Sequence, residues 1–467
     1  MIDLEKSIEK QREEVFSKHP EVKLHSVCKL NDGVIKHNKI ERNYFKTVYA
    51  DTDLKTAVFI PASGSGSRMF QFLYDFLSSP SEEDRGKVER FFSNLKKFAF
   101  FELLPFELKK RIAKYDYEVE EIIHFILEKE GLNLGSLPKG LIPFHRNGRF
   151  ILNAFQEQVL QAIRLKEDEL HFHFTINKNF EEQITTSLLS VQHLTGLNLN
   201  VTFSEQSPAT NAVAFNSNGT VVKTEEGEIL TRPSGHGALL QNLNSLQEDL
   251  IFIKNIDNVQ HENLSETSVD SLKYMAGLLL EFKKDMQEAL KSNTPKIALA
   301  KLNQEYQFAP LEEDFETFEE EELLAFMNRP MRVCGMVRNE GQPGGGPFWV
   351  EDESGVSKQI VEKAQISPKG DQYNKMVQSQ YFNPVMMVLN PQDLAGNKLD
   401  LDEYVDKDKY FVVDKAYKGV NIKFRENPGL WNGGMANWNT LFVEVPSESF
   451  SPVKTVLDLL DASHLDR

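Results

Sequence analysis

Cysteine is nearly missing from this 467-residue chain, which has only Cys28 and Cys334. Two thiols so far apart cannot build a disulfide framework, and neither has a neighbour at metal-ligand spacing. Positive charge is also scarce: 53 Lys and Arg face 70 Asp and Glu, for a net charge of −17. No basic cluster interleaves with aromatics, so nucleic acid is not an expected partner. Long apolar runs are lacking too. None approaches the roughly 18 residues needed to cross a bilayer, and the opening Met1-Ile2-Asp3-Leu4-Glu5-Lys6 has no apolar signal core. Neither a membrane partner nor secretion is expected, and the expected location is cytoplasmic. No internal repeat is visible. What remains, with 40% hydrophobic and 26% charged residues, is ordinary globular composition.

What is present begins with Thr56-Ala-Val-Phe-Ile-Pro-Ala-Ser-Gly-Ser-Gly-Ser-Arg-Met69, an apolar strand that runs into a turn of small residues. Without bulky side chains, the backbone from Ala62 through Ser63, Gly64, Ser65 and Gly66 can fold tightly and aim several N–H groups at one anion. Arg68 adds a planar cationic fork. Helical spacing of Phe70, Phe72, Leu73, Phe76 and Leu77 predicts a helix whose N-terminus brings partial positive charge to the same place. No Lys-Ser/Thr pair follows the glycines and Gly-x-Gly-x-x-Gly is not completed, which excludes the usual P-loop and the dinucleotide fingerprint. Farther on, the apolar run 250–253 ends in Asn255-Ile-Asp257-Asn258, so a carboxylate falls at the carboxyl edge of a sheet, where open α/β folds bind ligands. His236 lies between Gly235 and Gly237, with no apolar face to satisfy. Plainer readings stand beside these: Arg68 as a solvated charge, Lys139 as a turn residue, Asp257 as a turn cap and Lys454 as the opening of a terminal helix.

The loop resembles the Gly-x-Gly-x-Arg-Met signature of sugar nucleotidyltransferases, with Ala62-Ser63-Gly64 where Ala-Gly-Gly is usual. Three further segments follow in the same order. Pro138-Lys139-Gly140 resembles the Pro-Lys-Gly motif of UDP-sugar pyrophosphorylases. Gly235-His236-Gly237 and Asn255-Ile-Asp257-Asn258 resemble their glycine turn and the Asn-x-Asp-Asn end of the strand after it. Phe450-Ser-Pro-Val-Lys454 resembles their Phe-Ser-Pro-Leu-Lys and Pro-Val-Lys segments. Over residues 57–460 the chain is thus similar to the UDP-sugar pyrophosphorylase superfamily, in particular to a Bacteroidetes branch of unknown function. The resemblance implies an α/β fold: a Rossmann-like, mixed-sheet nucleotidyltransferase core of the nucleotide-diphospho-sugar transferase (GT-A) type, with a helical insertion and a β-rich C-terminal part. It also implies Mg²⁺-dependent transfer of a uridylyl group from UTP, or a related triphosphate, to a sugar 1-phosphate with release of pyrophosphate.

In that chemistry a phosphate oxygen of the sugar attacks the α-phosphorus, so the protein chiefly positions two polyanions and absorbs their charge. The resemblance implies that Arg68 holds the β and γ phosphates, Lys139 the α-phosphate region and Lys454 the sugar phosphate. It assigns Mg²⁺ to Asp257; one or two carboxylates suffice for that ion. On the nucleotide side it places Ala62, Ser63, Gly64, Ser65, Gly66, Gly235, His236 and Gly237, with Gln206 reading a pyrimidine edge through its amide. On the sugar side it places Asn255, Glu362 and Asn383. Glu362 also reads as an exposed strand residue and Asn383 as a cap before Pro384. Two alternatives of other kinds remain: a glycosyltransferase that consumes a nucleotide sugar, separated by its lack of pyrophosphate production, and an inactive regulatory protein that binds nucleotide sugars. Retention of Arg68, Lys139 and Asp257 together speaks against the second.

The predicted organisation is an N-terminal helical extension over 1–48 and a discontinuous nucleotidyltransferase domain over 49–460. That domain carries a helical insertion over 80–134, marked by Phe91, Leu95, Phe98, Phe101, Val119, Ile122, Ile123 and Ile126. A helical and acidic connector covers 262–330, with a helix over 272–290 and a solvated or mobile run over 312–322. The β-rich sugar side covers 331–460, with strands at 385–389, 410–413 and 441–445. Residues 150–165 read as an amphipathic helix and 170–176 as a strand.

Overall fold

The computed structural model describes every residue except 1, 18–20, 167–169, 342–343, 354, 368 and 466–467, so part of the expected 1–48 extension lies outside the described residues. Two compact units divide the chain: a smaller one of Thr56–Glu205, Ile253–Leu272 and Pro446–Arg467, and a larger one of Met1–Lys55, Gln206–Phe252 and Lys273–Val445. Each mixes helices with strands.

In the smaller unit, strand Thr56–Pro61 pairs in parallel with Leu170–Thr175, which pairs in parallel with Asn200–Ser204; Val58 lies opposite Phe172, and Phe172 opposite Val201. Thr56 through Ile60 are all buried, which is why this strand reads as a continuous apolar run and not as an alternation. Helices Gln71–Ser78, Glu82–Ser93, Phe106–Ala113 and Val119–Leu127 follow. Phe91 anchors them by packing within 5.0 Å of Phe98 and 6.0 Å of Phe72, and Ile122, Ile123 and Ile126 are fully buried. The 150–165 expectation is corrected. Phe150–Asn153 forms a strand against Pro143–Asn147, and the helix begins only at Ala154, where the Asn153 side chain accepts from the Gln156 amide. All nine residues of Ala154–Ala162 are buried, because its polar face grips other parts of the protein and not water.

In the larger unit, strand Met331–Arg338 runs parallel to Asn439–Glu444 and antiparallel to Met386–Asn390, and Asn439–Glu444 also runs parallel to Gly33–Ile35. A separate three-stranded sheet joins Leu24–Val27, Gly346–Asp352 and Gly355–Val361. Helix Glu266–Lys291, part of this unit from Lys273 on, buries Met275, Leu278, Leu279 and Phe282 as its spacing predicts. The 312–322 run is solvated on its acidic side and anchored on its aromatic one. Phe315 is buried and packs within 6.1 Å of Phe308, Phe318 and Phe326, so aromatic anchors hold a segment whose acidic side chains face outward. Among the described residues no helix is long and apolar enough to cross a membrane.

Candidate functional site

The turn after Thr56–Pro61 opens with Ala62 donating its amide to Thr175 O. Ser63, Gly64 and Ser65 are exposed, and their amides meet no acceptor among the described residues. Gly66 is different. A Cβ there would lie 2.5 Å from Ile142 Cδ1 and 2.7 Å from Leu137 O, so the chain can pass only as glycine, whereas a Cβ on Gly64 would meet nothing within 4 Å. The close approach lets Gly66 N donate to Leu137 O at 3.0 Å and Lys139 N to Gly64 O at 3.1 Å. Two segments that sequence reading treats as separate motifs are therefore one piece of backbone. Arg68 stands exposed on the 3-10 turn Ser67–Phe70 and pairs with none of the described residues.

Lys139 follows Pro138, and a Cβ on Gly140 would collide with Phe155 at 2.5 Å, so backbone packs directly on the helix behind it. Its Nζ lies 2.6 Å from Asp257 Oδ2, and Lys454 Nζ lies 3.5 Å from the same oxygen. Burial holds the Lys139 ammonium below the ordinary lysine range, against the opposing pull of Asp257. The turn bearing Asp257 is fixed from below by Gln158, whose Nε2 donates to Asn255 O at 2.9 Å, Asn258 O at 3.3 Å and Ile256 O at 3.4 Å. From the other side Val453 N donates to Asp257 O at 2.9 Å and Ser451 N to Asn258 Oδ1 at 2.9 Å, which sets Lys454 beside the carboxylate. Asp458 Oδ2 accepts from the backbone of Lys454 and Thr455, each at 2.7 Å, so Lys454 also opens a capped terminal turn. Asn255 is half-buried, and its side-chain amide makes no hydrogen bond among the described residues. Lys139 and Lys454 face the carboxylates of Asp257 and Asp458, and Arg68 on the neighbouring turn adds a further positive charge.

Mg²⁺ can be tested against this donor set. Asp257 supplies one carboxylate, enough for an ion that takes its other oxygens from water and phosphates, and the ammoniums on Oδ2 are the neighbours those phosphates need. The residues fit. Among the described residues no group of three or more His, Cys, Asp or Glu side chains converges as a site that holds a metal without further ligands.

The remaining predicted residues lie in the larger unit. His236 stacks on Trp431 with ring centroids 4.1 Å apart, accepts from Leu430 N at 3.0 Å on Nδ1, and has Nε2 3.8 Å from Glu362 Oε1. Burial lowers its pKa to about 4, so the ring is neutral at neutral pH. Burial raises Glu362, against the stabilising hydrogen bond to Trp431. Gly235 has φ +69°, and a Cβ there would strike Glu426 Oε2 at 2.6 Å; a Cβ on Gly237 would strike Pro428 O at 2.0 Å. The glycines on either side of His236 thus admit the 426–431 segment and its Trp431. Sequence reading missed Trp431; the signal was its place in the glycine-rich Pro428-Gly-Leu-Trp431-Asn-Gly-Gly434. Gln206 is half-buried and its Nε2 has no partner among the described residues. Asn383 is buried, donating to Gly335 O at 2.8 Å and accepting from Val385 N at 3.0 Å, which are the bonds of a turn cap.

Residues 3–465 match the family described as a domain of unknown function (DUF4301). No curated protein matches the chain in sequence. In structure the chain is similar to the uridine diphosphate N-acetylglucosamine pyrophosphorylase from Trypanosoma brucei in complex with inhibitor, at 14% identity over 98% of this chain and 74% of that chain, with a TM-score of 0.50. It is also similar to UDP-glucose phosphorylase from Trypanosoma brucei, at 13% identity over 98% of this chain and 73% of that chain, with a TM-score of 0.44. The shared fold is the mixed α/β architecture of pyrophosphorylase-type nucleotidyltransferases.

Proposed function

The chain belongs to the DUF4301 family, and from that premise we propose that it is a Mg²⁺-dependent nucleotidyltransferase that joins UTP to a sugar 1-phosphate and releases pyrophosphate. One observation carries the reading: Lys139 and Lys454, far apart in sequence, converge on Asp257, and Lys139 is hydrogen-bonded through its backbone to the open Gly64 turn. The amides of Ser63, Gly64 and Ser65 and the Arg68 guanidinium, all without partners among the described residues, suit a triphosphate. Lys139 steadies the α-phosphate, and Lys454 holds the acceptor phosphate in line for attack. The acceptor oxygen bonds to the α-phosphorus as the bond to the β-phosphate bridge breaks and pyrophosphate leaves. Asp257 would hold Mg²⁺, which supplies neutralisation of the phosphate charge. In the larger unit His236, Trp431 and Glu362 offer an aromatic face with an adjoining carboxylate, a combination that suits a hydroxylated ring.

The test is pyrophosphate release from UTP with a panel of sugar 1-phosphates and Mg²⁺. Release that needs both substrates supports the reading. Hydrolysis or transfer from a ready-made UDP-sugar, with no pyrophosphate from UTP, overturns it in favour of a glycosyltransferase.

A further inference from the structure

The smaller unit holds a chain of buried ionisable side chains that the proposed transfer does not use. His145, Glu157, His261 and His464 are each at most 4% exposed. His145 Nδ1 lies 2.7 Å from Glu157 Oε1, and its Nε2 lies 2.9 Å from Nδ1 of His464, with the two imidazoles stacked at 5.2 Å. His261 packs 5.4 Å from His145; its Nδ1 accepts from Asn263 N, so its Nε2 donates to Arg146 O at 3.1 Å. Gln161 donates to Glu157 Oε2 and to Gln260 O. Lys254 and the Glu262 backbone also act on Glu157, and Asp458 acts on His464.

His464 closes a segment already fastened at its start. Gln260 Nε2 donates to Glu448 O at 2.8 Å, Ser451 N to Asn258 Oδ1 and Val453 N to Asp257 O, and at the far end His261 N donates to Ser463 O at 2.9 Å. Lys454 lies between these fastenings. The contact between His145 Nε2 and His464 Nδ1 needs one shared proton, because two N–H groups aimed at each other across 2.9 Å repel and leave no acceptor.

We propose that His464 and His145 are the catch of a C-terminal strap, residues 446–464, whose closed state sets Lys454 beside Asp257. They are positioning residues. The consequence for substrate use rests on the reading of Lys454 as the acceptor-phosphate ligand; strap closure itself does not. Burial pushes both histidines down to about 3, below the ordinary histidine value, so the closed strap loses stability as pH falls below about 6.5. Glu157, raised to about 7, opposes this by taking up a proton in the closed state, but it is one group against two.

Hydrogen exchange on the full chain without substrate tests the catch, at pH 7.5 and pH 5.5 after correction for intrinsic rates. In wild type, peptides covering 446–464 should exchange about tenfold faster at the lower pH while those covering Thr56–Pro61 stay constant. His464→Ala should bring the faster exchange to pH 7.5. His464→Asn, whose amide bonds without titrating, should remain closed at both pH values. Wild type without pH dependence, or His464→Ala with wild-type exchange, overturns the proposal; if His464→Ala does not fold, wild type against His464→Asn decides. With substrates, His464→Ala should raise KM for the sugar 1-phosphate and spare kcat. A strap that opens as described in a protein that never forms pyrophosphate would overturn the transfer reading and leave the catch standing.

Discussion

Asp257 and Arg68 carry opposite charges and opposite surroundings, so their removal should separate activity from stability. Asp257→Ala deletes the partner of a Lys139 ammonium whose side chain is only 14% exposed, and its loss should cost about 1.5–3 kcal/mol in urea unfolding, along with nearly all pyrophosphate release. Arg68→Gln touches no partner among the described residues. Its stability should stay within about 0.5 kcal/mol of wild type while triphosphate use falls roughly 10- to 1000-fold, the range for one lost transition-state contact. Wild-type kinetics for Arg68→Gln would return it to a plain surface charge. At this scale the sequence was legible in kind but not in company. The residue types at 68, 139, 257 and 454 could be picked out, yet Lys139 and Asp257 are 118 positions apart, and no spacing rule pairs them. Trp431 stood out only through the glycines around it, because its role depends on stacking against a ring from a distant turn.

Elements were legible where one physical signal dominated. The strand Thr56–Pro61 and the helix Glu266–Lys291 follow from a buried apolar run and a clear helical period. Residues 150–165 misled because the polar positions of Ala154–Ala162 are satisfied inside the protein, which imitates a solvated face, and because Asn153 marks a helix start that periodicity alone does not see. The phosphate turn yields a paired prediction. Gly66→Ala forces a methyl against Leu137 O and Ile142, and should cost about 1–3 kcal/mol while parting the turn from Lys139. Gly64→Ala should fold normally, its methyl facing open space, but under the transfer reading weaken UTP binding in titration calorimetry by intruding where that reading puts the phosphates. Equal stability of the two variants would remove the steric account of Gly66. On the strap, Lys454→Ala should raise KM for the sugar 1-phosphate and leave UTP affinity measured without acceptor nearly unchanged; a large loss of UTP affinity would move Lys454 to the triphosphate.

For the whole chain, the motifs' order from residue 62 to residue 454 was the legible part, since composition alone fits many globular proteins. The division into two units was not legible, because each is assembled from separated stretches of sequence. Net charge leads to a further expectation. With −17 overall, a triphosphate bound under the transfer reading depends on a few local cations, so raising NaCl from about 50 to 500 mM should weaken UTP binding severalfold as those contacts are screened. At about 100 times its dissociation constant UTP should add roughly 2.7 kcal/mol of apparent stability. Salt-independent binding would place the nucleotide away from Arg68 and Lys139.

The carboxylate that Lys139 and Lys454 share has one more consequence. Without phosphate present, Asp257 is a resident anion that keeps two ammoniums close together and in position. Every incoming phosphate must compete with it, and every departing one is replaced by it. Such an internal rival lowers affinity for the phosphates that Lys139 and Lys454 would hold, so under the transfer reading the loss of Asp257 should tighten binding of the sugar 1-phosphate even as it stops pyrophosphate release.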